Sequence, residues 1–255
     1  MILIAALAVS FISVPRRASG QLEPLQQSTN PAQANAQGLP AAPNPLSPAE
    51  QKKRDEWMTE PYRVAAAVVA VDLPTPKSVV TVGGFQGQFL EVFLDQFPTA
   101  HGKYTEDIRS SNPPIARKRL ARFGDRVTYE DGCPSRDIST GCVPKGTDII
   151  ITEWMSIHQD LDGMYKNYRA AAEHLNSGGW VAVLDHVSFG GTSWDSQLQV
   201  AGKGFRPQNE VPPIHHPNYR VPTAEEELGA MRAAGFDAQV VWQSFSTVLL
   251  MGHKR

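Results

Sequence analysis

The stretch of sequence that most constrains the fold runs from Ser78 to Leu90. It begins with an apolar, β-branched run, which is typical of a buried strand, and breaks into a turn at Gly83, Gly84 and Gly87. Apolar residues at helical spacing follow, up to Pro98. A strand, a glycine turn and a helix N-terminus form the local geometry of a nucleotide-type cofactor site, because the glycines let backbone approach a ligand and the helix offers free N–H groups. The same pattern also occurs as a plain connection.

Length and composition limit the class of protein. A chain of 255 residues, 41% of them hydrophobic, suits one domain with appendages. The net charge of −2 argues against nucleic acid and against an anionic membrane surface as partners. No run approaches the ~18–20 apolar residues that a membrane-spanning helix needs. The sequence contains no signal for an oligomeric state.

The first 46 residues are predicted to lie outside the folded domain. Ile2 to Val14 is an apolar run of signal-peptide length, and a small-residue cleavage site ends at Gly20, which predicts export with Gln21 as the new N-terminus. A buried N-terminal helix is the alternative. Residues 21–46 are rich in Gln, Pro, Ala and Asn and predict a disordered tether, so the domain is expected over residues 47–255.

Helices and strands alternate over the predicted domain. Ser47 and Pro48 open a helix with a capping-box pattern, and a second helix is expected after Pro61, over Tyr62 to Val71. The strands predicted after the first are His101–Ile108, Arg126–Glu130, Thr147–Glu153, Trp180–Leu184, Ala238–Gln243 and Thr247–Met251. The helices predicted between them are Gln88–Phe97, Pro114–Phe123, Leu161–Asn176 and one that Thr223 caps and Gly235 ends.

This alternation predicts an α/β fold with a doubly wound, mostly parallel sheet of seven strands, in which the C-terminal hairpin places one antiparallel strand. Ligands of such sheets bind at the carboxyl ends of the strands, where the strand order reverses. The basic residues of Pro114–Phe123 are interpreted as a solvated helix face.

From about Trp57 to the C-terminus, the order of parts resembles the class I S-adenosylmethionine-dependent methyltransferase fold. Val79 to Gly87 resembles the cofactor-binding first motif of that family. His174 to Trp180 resembles the glycine turn before strand five, and Ala233 to Phe236 resembles the end of the last helix. The resemblance implies S-adenosylmethionine as the cofactor. The implied cofactor-binding residues are Gly83, Gly84 and Gly87 in the turn, Glu106 and Asp107 at the ribose, Asp131 near the adenine, and Glu153 in the fourth motif.

The first motif departs from the family pattern at two positions. Phe85 stands where the middle glycine is usual, and Thr81 stands where an acidic residue is usual. The backbone of this turn must lie close to the cofactor, and a phenylalanine side chain there would push the cofactor away. Two functions therefore stay open, a methyltransferase acting on an unknown small-molecule acceptor and a methyltransferase-like binding protein that has lost transfer activity.

The histidines further resemble those of a subgroup of exported, predicted methyltransferases. His158 follows the fourth strand, and Asp185 and His186 end the fifth. Methyl transfer to a hydroxyl needs a base, and a pKa of about 6.5 suits histidine to that role. His158 or His186 is therefore the predicted base, with Asp185 orienting an imidazole. The alternative is that these histidines only cap loops.

The long connection from Val187 to Pro222 is predicted to be a lid, which carries His215 and His216 over the site. Histidines converging with Asp185 would suit a divalent metal and a hydrolase, but no ligand motif such as His-Glu-x-x-His occurs, and no metal is predicted. Trp154 is expected to line the acceptor pocket, unless core packing explains it.

Cys133 and Cys142 are the only cysteines. An even count and a short separation in an exported chain favour a local disulfide, with two free thiols as the alternative. Export also raises a conflict, since S-adenosylmethionine is made inside the cell and an exported enzyme needs a supply of it.

Overall fold

The computed structural model describes residues 47–107, 110–133, 138, 141–190, 192–202 and 221–255. The predicted signal peptide, the predicted tether, His215 and His216 lie outside these residues. Among the described residues, no helix is both long and apolar enough to cross a bilayer.

Seven strands form one sheet, as the alternating sequence pattern predicts. They are β1 (Ser78–Val82), β2 (His101–Glu106), β3 (Val127–Asp131), β4 (Thr147–Glu153), β5 (Leu175–His186), β6 (Phe236–Ser244) and β7 (Thr247–Lys254). Their order is β3-β2-β1-β4-β5-β7-β6. Only β7 runs antiparallel, against β5 on one side and β6 on the other. The doubly wound, mostly parallel sheet with a C-terminal antiparallel hairpin is confirmed, and its order reverses between β1 and β4.

The sheet separates two hydrophobic cores. Ile149 and Ile151 of β4 face the core on one side, and Ile150 between them faces the other. Successive side chains of a strand point to opposite faces, so an unbroken apolar run is the pattern of a central strand. This burial on both faces is what the sequence of β4 predicts.

The described residues contain six helices, and five of them pack on the two faces of the sheet. The six are α1 (Pro48–Asp72), α2 (Gln88–Gln96), α3 (Pro113–Leu120), α4 (Leu161–His174), α5 (Thr192–Gly202) and α6 (Ala224–Ala233). Side chains of α1, α2 and α3 enter one core, and those of α4 and α6 enter the other. Helix α5 lies within the connection from Val187 to Pro222 that is predicted to be a lid, so the described part of this connection is partly helical.

Helix α1 continues through Pro61, and the prediction of two separate helices is wrong. A proline inside a helix costs about 3 kcal/mol because it removes a hydrogen bond and crowds the preceding turn. Met58 precedes Pro61, Tyr62 and Val69 follow it, and all three are buried in the same core. Their burial along one continuous face offsets the cost of the proline.

Two other expectations need correction. The helix predicted to run to Asn176 ends at His174, and β5 already begins at Leu175. The third helix ends at Leu120 and continues as a 3-10 turn, and its basic face is not simply solvated. Arg119 approaches Glu91 of α2 to 3.1 Å, so part of this charge joins two helices.

Candidate active site

The glycine turn joins β1 to α2 at the point where the strand order reverses. Three of its residues have positive φ, namely Gly83 at 64°, Phe85 at 46° and Gly87 at 78°. Gly84 allows a close approach, because a Cβ there would lie 2.5 Å from the Thr81 hydroxyl and 2.7 Å from the Tyr104 ring. The turn is thus packed tightly against the ends of β1 and β2.

Phe85, the first departure from the family pattern, is anchored by its backbone. Its N–H donates to a carboxylate oxygen of Glu106 at 2.8 Å, and its carbonyl accepts from the Tyr104 hydroxyl at 2.6 Å. The left-handed backbone of a non-glycine residue costs roughly 1–2 kcal/mol, which these two bonds help to offset. The turn therefore holds its shape with phenylalanine at this position.

Thr81, the second departure, joins β1 to β2. Its hydroxyl accepts from the Thr105 N–H at 2.8 Å, and the Thr105 hydroxyl donates to the Thr81 carbonyl at 2.6 Å. Both side chains are buried. Thr81 thus has a structural role between two strands.

Glu106 ends β2, and the whole residue is only 5% exposed to solvent. Besides the Phe85 N–H it accepts from the Asp107 N–H at 3.0 Å. Burial raises the pKa of Glu106 above its ordinary value of 4.5, although the two backbone donors oppose the rise. Burial also raises the pKa of Tyr104, and the charges of Glu106 and Glu153 raise it further. The charge of Arg117 acts in the opposite direction on Tyr104 but is the smallest of these effects, so negative charge predominates at the strand ends.

The remaining predicted cofactor residues surround this region. Asp131 ends β3 beside the guanidinium of Arg117, at 2.6 Å. Glu153 ends β4, is buried, and accepts a hydrogen bond from the hydroxyl of Tyr62. Asp107 follows Glu106 and is partly exposed. The structure brings the predicted carboxylates to the carboxyl ends of β2, β3 and β4, on both sides of the glycine turn.

Trp154 and His186 lie in contact at the ends of β4 and β5. Their rings stack with centroids 4.0 Å apart and an interplanar angle of 23°. The backbone N–H of Trp154 donates to the Leu184 carbonyl, and the ring atom Nδ1 of His186 lies 3.4 Å from the Thr247 hydroxyl. Both rings are partly exposed. Two residues predicted for the acceptor side thus form a single aromatic surface.

Asp185 is fully buried, one residue before His186. One of its carboxylate oxygens accepts from the Ser156 N–H at 2.5 Å and the other from the His186 N–H at 2.8 Å. Its contacts shape the backbone at the ends of β4 and β5, whereas the sequence predicts that it orients an imidazole ring. His158 lies in the short 3-10 turn Ser156–His158, next to this strand end, as its position in the sequence predicts.

The sequence interpretation misses four polar residues in this part of the fold. They are Tyr62, Ser156, Tyr168 and Glu227, and all are buried. Glu227 shares the inward face of α6 with Ala230 and Met231, three and four residues further on. Helical spacing alone places Glu227 on the buried face, so the sequence contains a pattern from which its burial could be predicted.

Cys133 and Cys142 form a disulfide, with Cα atoms 5.9 Å apart. It lies just beyond Asp131, and the loop that it closes contains Ile138, whose N–H donates to the Asn167 side chain of α4 at 2.9 Å. This pairing is the one that the cysteine count favours. The disulfide holds Cys142 beside Cys133, two residues after the end of β3.

A separate groove of about 720 Å³ lies between α1, α2 and α3. It contains side chains of both signs, and Glu91 and Arg119 already pair there. It contains none of the predicted site residues, so we assign it no part in the site.

Comparison with known proteins tests the fold. The sequence matches no family model and no curated protein. A Nostoc punctiforme protein proposed to be an O-methyltransferase matches with a TM-score of 0.59 at 18% identity, over 77% of this chain and 56% of that one. An O-methyltransferase family 2 protein of Planctomyces limnophilus, in complex with apigenin, matches with a TM-score of 0.57 at 17% identity, over 84% and 63% of the two chains.

A third structure matches along most of both chains. It is the 1,6-didemethyltoxoflavin-N1-methyltransferase of Burkholderia thailandensis with bound 1,6-didemethyltoxoflavin and S-adenosylhomocysteine, with a TM-score of 0.54 at 21% identity over 81% and 84% of the chains. The fold is that of class I S-adenosylmethionine-dependent methyltransferases. The match spans a little more than half the length of the Nostoc protein, so this methyltransferase fold is what the two share.

Proposed function

We propose that the chain is an exported S-adenosylmethionine-dependent methyltransferase that acts on a small-molecule acceptor. The observation that carries this proposal is the group of carboxylates around the glycine turn of a methyltransferase fold. Glu106, Asp107, Asp131 and Glu153 all lie at strand ends, where ligands of such sheets bind. The solved structures that share the fold include methyltransferases of small molecules, which supports the same reaction class.

The chemistry of these side chains suits the cofactor. S-adenosylmethionine carries positive charge on its sulfonium and its ammonium, and ribose hydroxyls and the adenine amino group are hydrogen-bond donors. Carboxylates complement all of these groups. The raised pKa of Glu106 indicates a buried carboxyl that a nearby positive charge would favour in its ionised form. The residues present therefore fit this cofactor.

When bound, S-adenosylmethionine supplies an electrophilic methyl group. The chain's own task is to align the acceptor and to take its proton. We assign the proton transfer to His186, whose ring is held between the Trp154 indole and the Thr247 hydroxyl, with His158 in the neighbouring turn as the second candidate. Trp154 would then contact the acceptor, and the segment with His215 and His216 would cover it.

Calorimetric titration of the full chain with S-adenosylmethionine and S-adenosylhomocysteine tests the proposal. We expect micromolar affinity that is lost in the variant Asp107→Ala. Asp125→Ala is the matched control, since Asp125 is exposed and precedes β3, at the opposite end of that strand from Asp131. Absence of binding by a folded sample would overturn the proposal.

A second function remains a candidate because of one contact. Both oxygens of Glu106 already accept hydrogen bonds from the backbone, one from Phe85 and one from Asp107. These bonds use part of the acceptor capacity that a ribose would need, which favours a methyltransferase-like protein that binds another ligand without transfer. The calorimetric experiment separates the two functions, because only the enzyme requires S-adenosylmethionine.

Export is supported by the disulfide, since such bonds persist mainly in oxidising compartments. The predicted cleavage after Gly20 is tested by the mass of the N-terminal peptide of the protein from its native host. We expect a chain that begins at Gln21. Retention of residues 1–20 by the mature protein would contradict export by a cleaved signal peptide.

A further inference from the structure

A buried polar cluster lies beneath the ends of β4 and β5 and is not explained by cofactor binding. Glu227 of α6 is completely buried. Its Oε1 accepts hydrogen bonds from the hydroxyls of Ser156 and Tyr168. Its Oε2 is buried and accepts no hydrogen bond from the part of the chain that the structure describes. Burying a carboxyl with one unsatisfied oxygen destabilises the folded state. We therefore expect Glu227 to have a function that requires this position.

Ser156 is held from two sides. Its hydroxyl donates to Glu227, and its N–H donates to Asp185 at 2.5 Å. It stands two residues after Trp154 and begins the 3-10 turn that ends at His158. The position of Ser156 therefore determines how the chain leaves β4, and with it where the side chain of Trp154 is placed.

The same cluster reaches His186. The second carboxylate oxygen of Asp185 accepts a hydrogen bond from the backbone N–H of His186. The His186 ring stacks on Trp154. Glu227, Ser156 and Asp185 thus form a chain of hydrogen bonds that ends beneath the aromatic surface.

We propose that Glu227 is a positioning residue for the acceptor side of the site, holding Ser156 so that the turn after β4 keeps Trp154 against His186. Asp185 holds the backbone of Ser156, and Glu227 holds its side chain. Loss of either hold frees the turn to move away from the end of β5. The consequence for catalysis rests on the proposed function, whereas the hold itself is independent of it.

The electrostatics of the cluster make the stability of the fold depend on pH. The described groups that face Glu227 are Asp185 from β5, Tyr168 from α4 and Ser156 from the turn, and none is a cation. Burial raises the pKa of Glu227 above its ordinary value of 4.5, and burial together with the charge of Glu227 raises the pKa of Asp185. Each of these buried carboxyls therefore keeps its proton to a higher pH in the folded chain than in the unfolded chain.

The sign of the effect follows from linkage. Because the pKa of Glu227 is higher in the folded chain than its ordinary value of 4.5, the unfolded chain releases the Glu227 proton at a lower pH than the folded chain does. The folded state binds more protons, so this part of the stability is fully present below pH 4.5 and decreases as the pH rises. Glu227→Gln removes the titrating group but keeps an oxygen that accepts from Ser156. The variant is therefore expected to gain stability relative to the wild type as the pH rises.

The test reads the turn directly through tryptophan. The full chain is labelled with 5-fluorotryptophan, and its fluorine spectrum is recorded at pH 7, with the Trp154 signal assigned from Trp154→Phe. We expect Ser156→Ala and Glu227→Ala to displace the Trp154 signal, and Glu227→Gln to leave it in place. The signals of Trp57, Trp180, Trp194 and Trp242 serve as internal controls for the fold.

Glu225→Ala is the matched control, because Glu225 lies in the same turn of α6 but is exposed. It should leave all five signals unchanged. An unmoved Trp154 signal in Ser156→Ala or in a folded Glu227→Ala would overturn the proposal. If Glu227→Ala shifts all five signals, the fold itself is lost and Ser156→Ala decides.

The unfolding free energies of the wild type and of Glu227→Gln, measured in urea at several pH values, test the electrostatic part. A stability difference that does not change with pH would show that folding does not raise the pKa of Glu227. Binding of S-adenosylmethionine to the same variants keeps the two proposals apart. If the wild type does not bind S-adenosylmethionine, the proposed function is wrong. The fluorine spectra would still report whether Glu227 and Ser156 position Trp154.

Discussion

The imidazole of His186 lies nearly flat against the indole of Trp154, with ring centroids 4.0 Å apart. The contact joins the ends of two neighbouring strands, because Trp154 follows β4 and His186 ends β5. The base proposed for the reaction and the side chain proposed to contact the acceptor are therefore parts of one unit.

Replacing either ring should cost the stacking energy of the pair. We expect a coupling of about 0.5–1.5 kcal/mol between Trp154→Ala and His186→Ala in a double-mutant cycle of unfolding free energies. Coupling near zero would mean that the two rings are adjacent without interacting. Trp194, which is 62% exposed, offers a control cycle with His186 in which no coupling is expected.

Glu106→Gln should change how stability depends on pH. The pKa of Glu106 is raised by burial above 4.5, so the wild type loses stability as the pH rises above that value. The variant lacks this loss, although it gives up one of the two backbone hydrogen bonds at a cost of about 1–3 kcal/mol. Urea unfolding at pH 5 and pH 8 measures both effects. Equal pH slopes for the two proteins would show that Glu106 does not keep a proton in the fold.

Gly84→Ala should destabilise the protein, because its Cβ would lie 2.5 Å from the Thr81 hydroxyl and 2.7 Å from the Tyr104 ring. Overpacking of this kind costs about 1–3 kcal/mol. Gly229→Ala is the matched control, since the nearest atom to its Cβ would be the Tyr165 hydroxyl at 3.9 Å. Within α6 that change should be neutral or stabilising by up to about 1 kcal/mol. Thermal unfolding of both variants decides, and a neutral Gly84→Ala would contradict the close packing of the turn.

Reduction of the disulfide should lower the stability of the fold. Cys133 and Cys142 are 9 residues apart, and a loop of that size contributes about 2–3 kcal/mol. The midpoint of urea unfolding should fall when a reductant is added to the wild type. The double variant Cys133→Ser, Cys142→Ser should start from the lower midpoint and not respond to reductant. A wild type indifferent to reductant would show that the bond adds nothing to stability.

Local sequence patterns predict the sheet well, and the reason is visible in β4. Its apolar run is buried on both faces, and a run of this kind has few places in a fold other than the centre of a parallel sheet. The capping box of α6 is equally local, since Thr223 and Glu226 satisfy each other's backbone. Patterns within a few residues fix elements of this type.

Features that depend on distant residues could not be predicted in the same way. The local sequence around Pro61 predicts the end of a helix, but burial of one face of α1 stabilises a helix that continues through Pro61. Glu227 reads as one of three glutamates at a helix start, while its partners Ser156 and Tyr168 are 71 and 59 residues away along the chain. Only the folded sheet brings such residues together, so the sequence predicts the strand ends at which Trp154 and His186 lie but not the buried residues beneath them.

The placement of β7 between β5 and β6 determines when the sheet is completed during synthesis. β6 leaves the ribosome before β7 but has no partner in the sheet until β7 has paired with β5. A nascent chain that ends at Phe245 would present the whole edge of β5 to solvent, with β6 and α6 already made. Until β7 has paired with β5, that edge is open to recognition by chaperones or by another nascent chain.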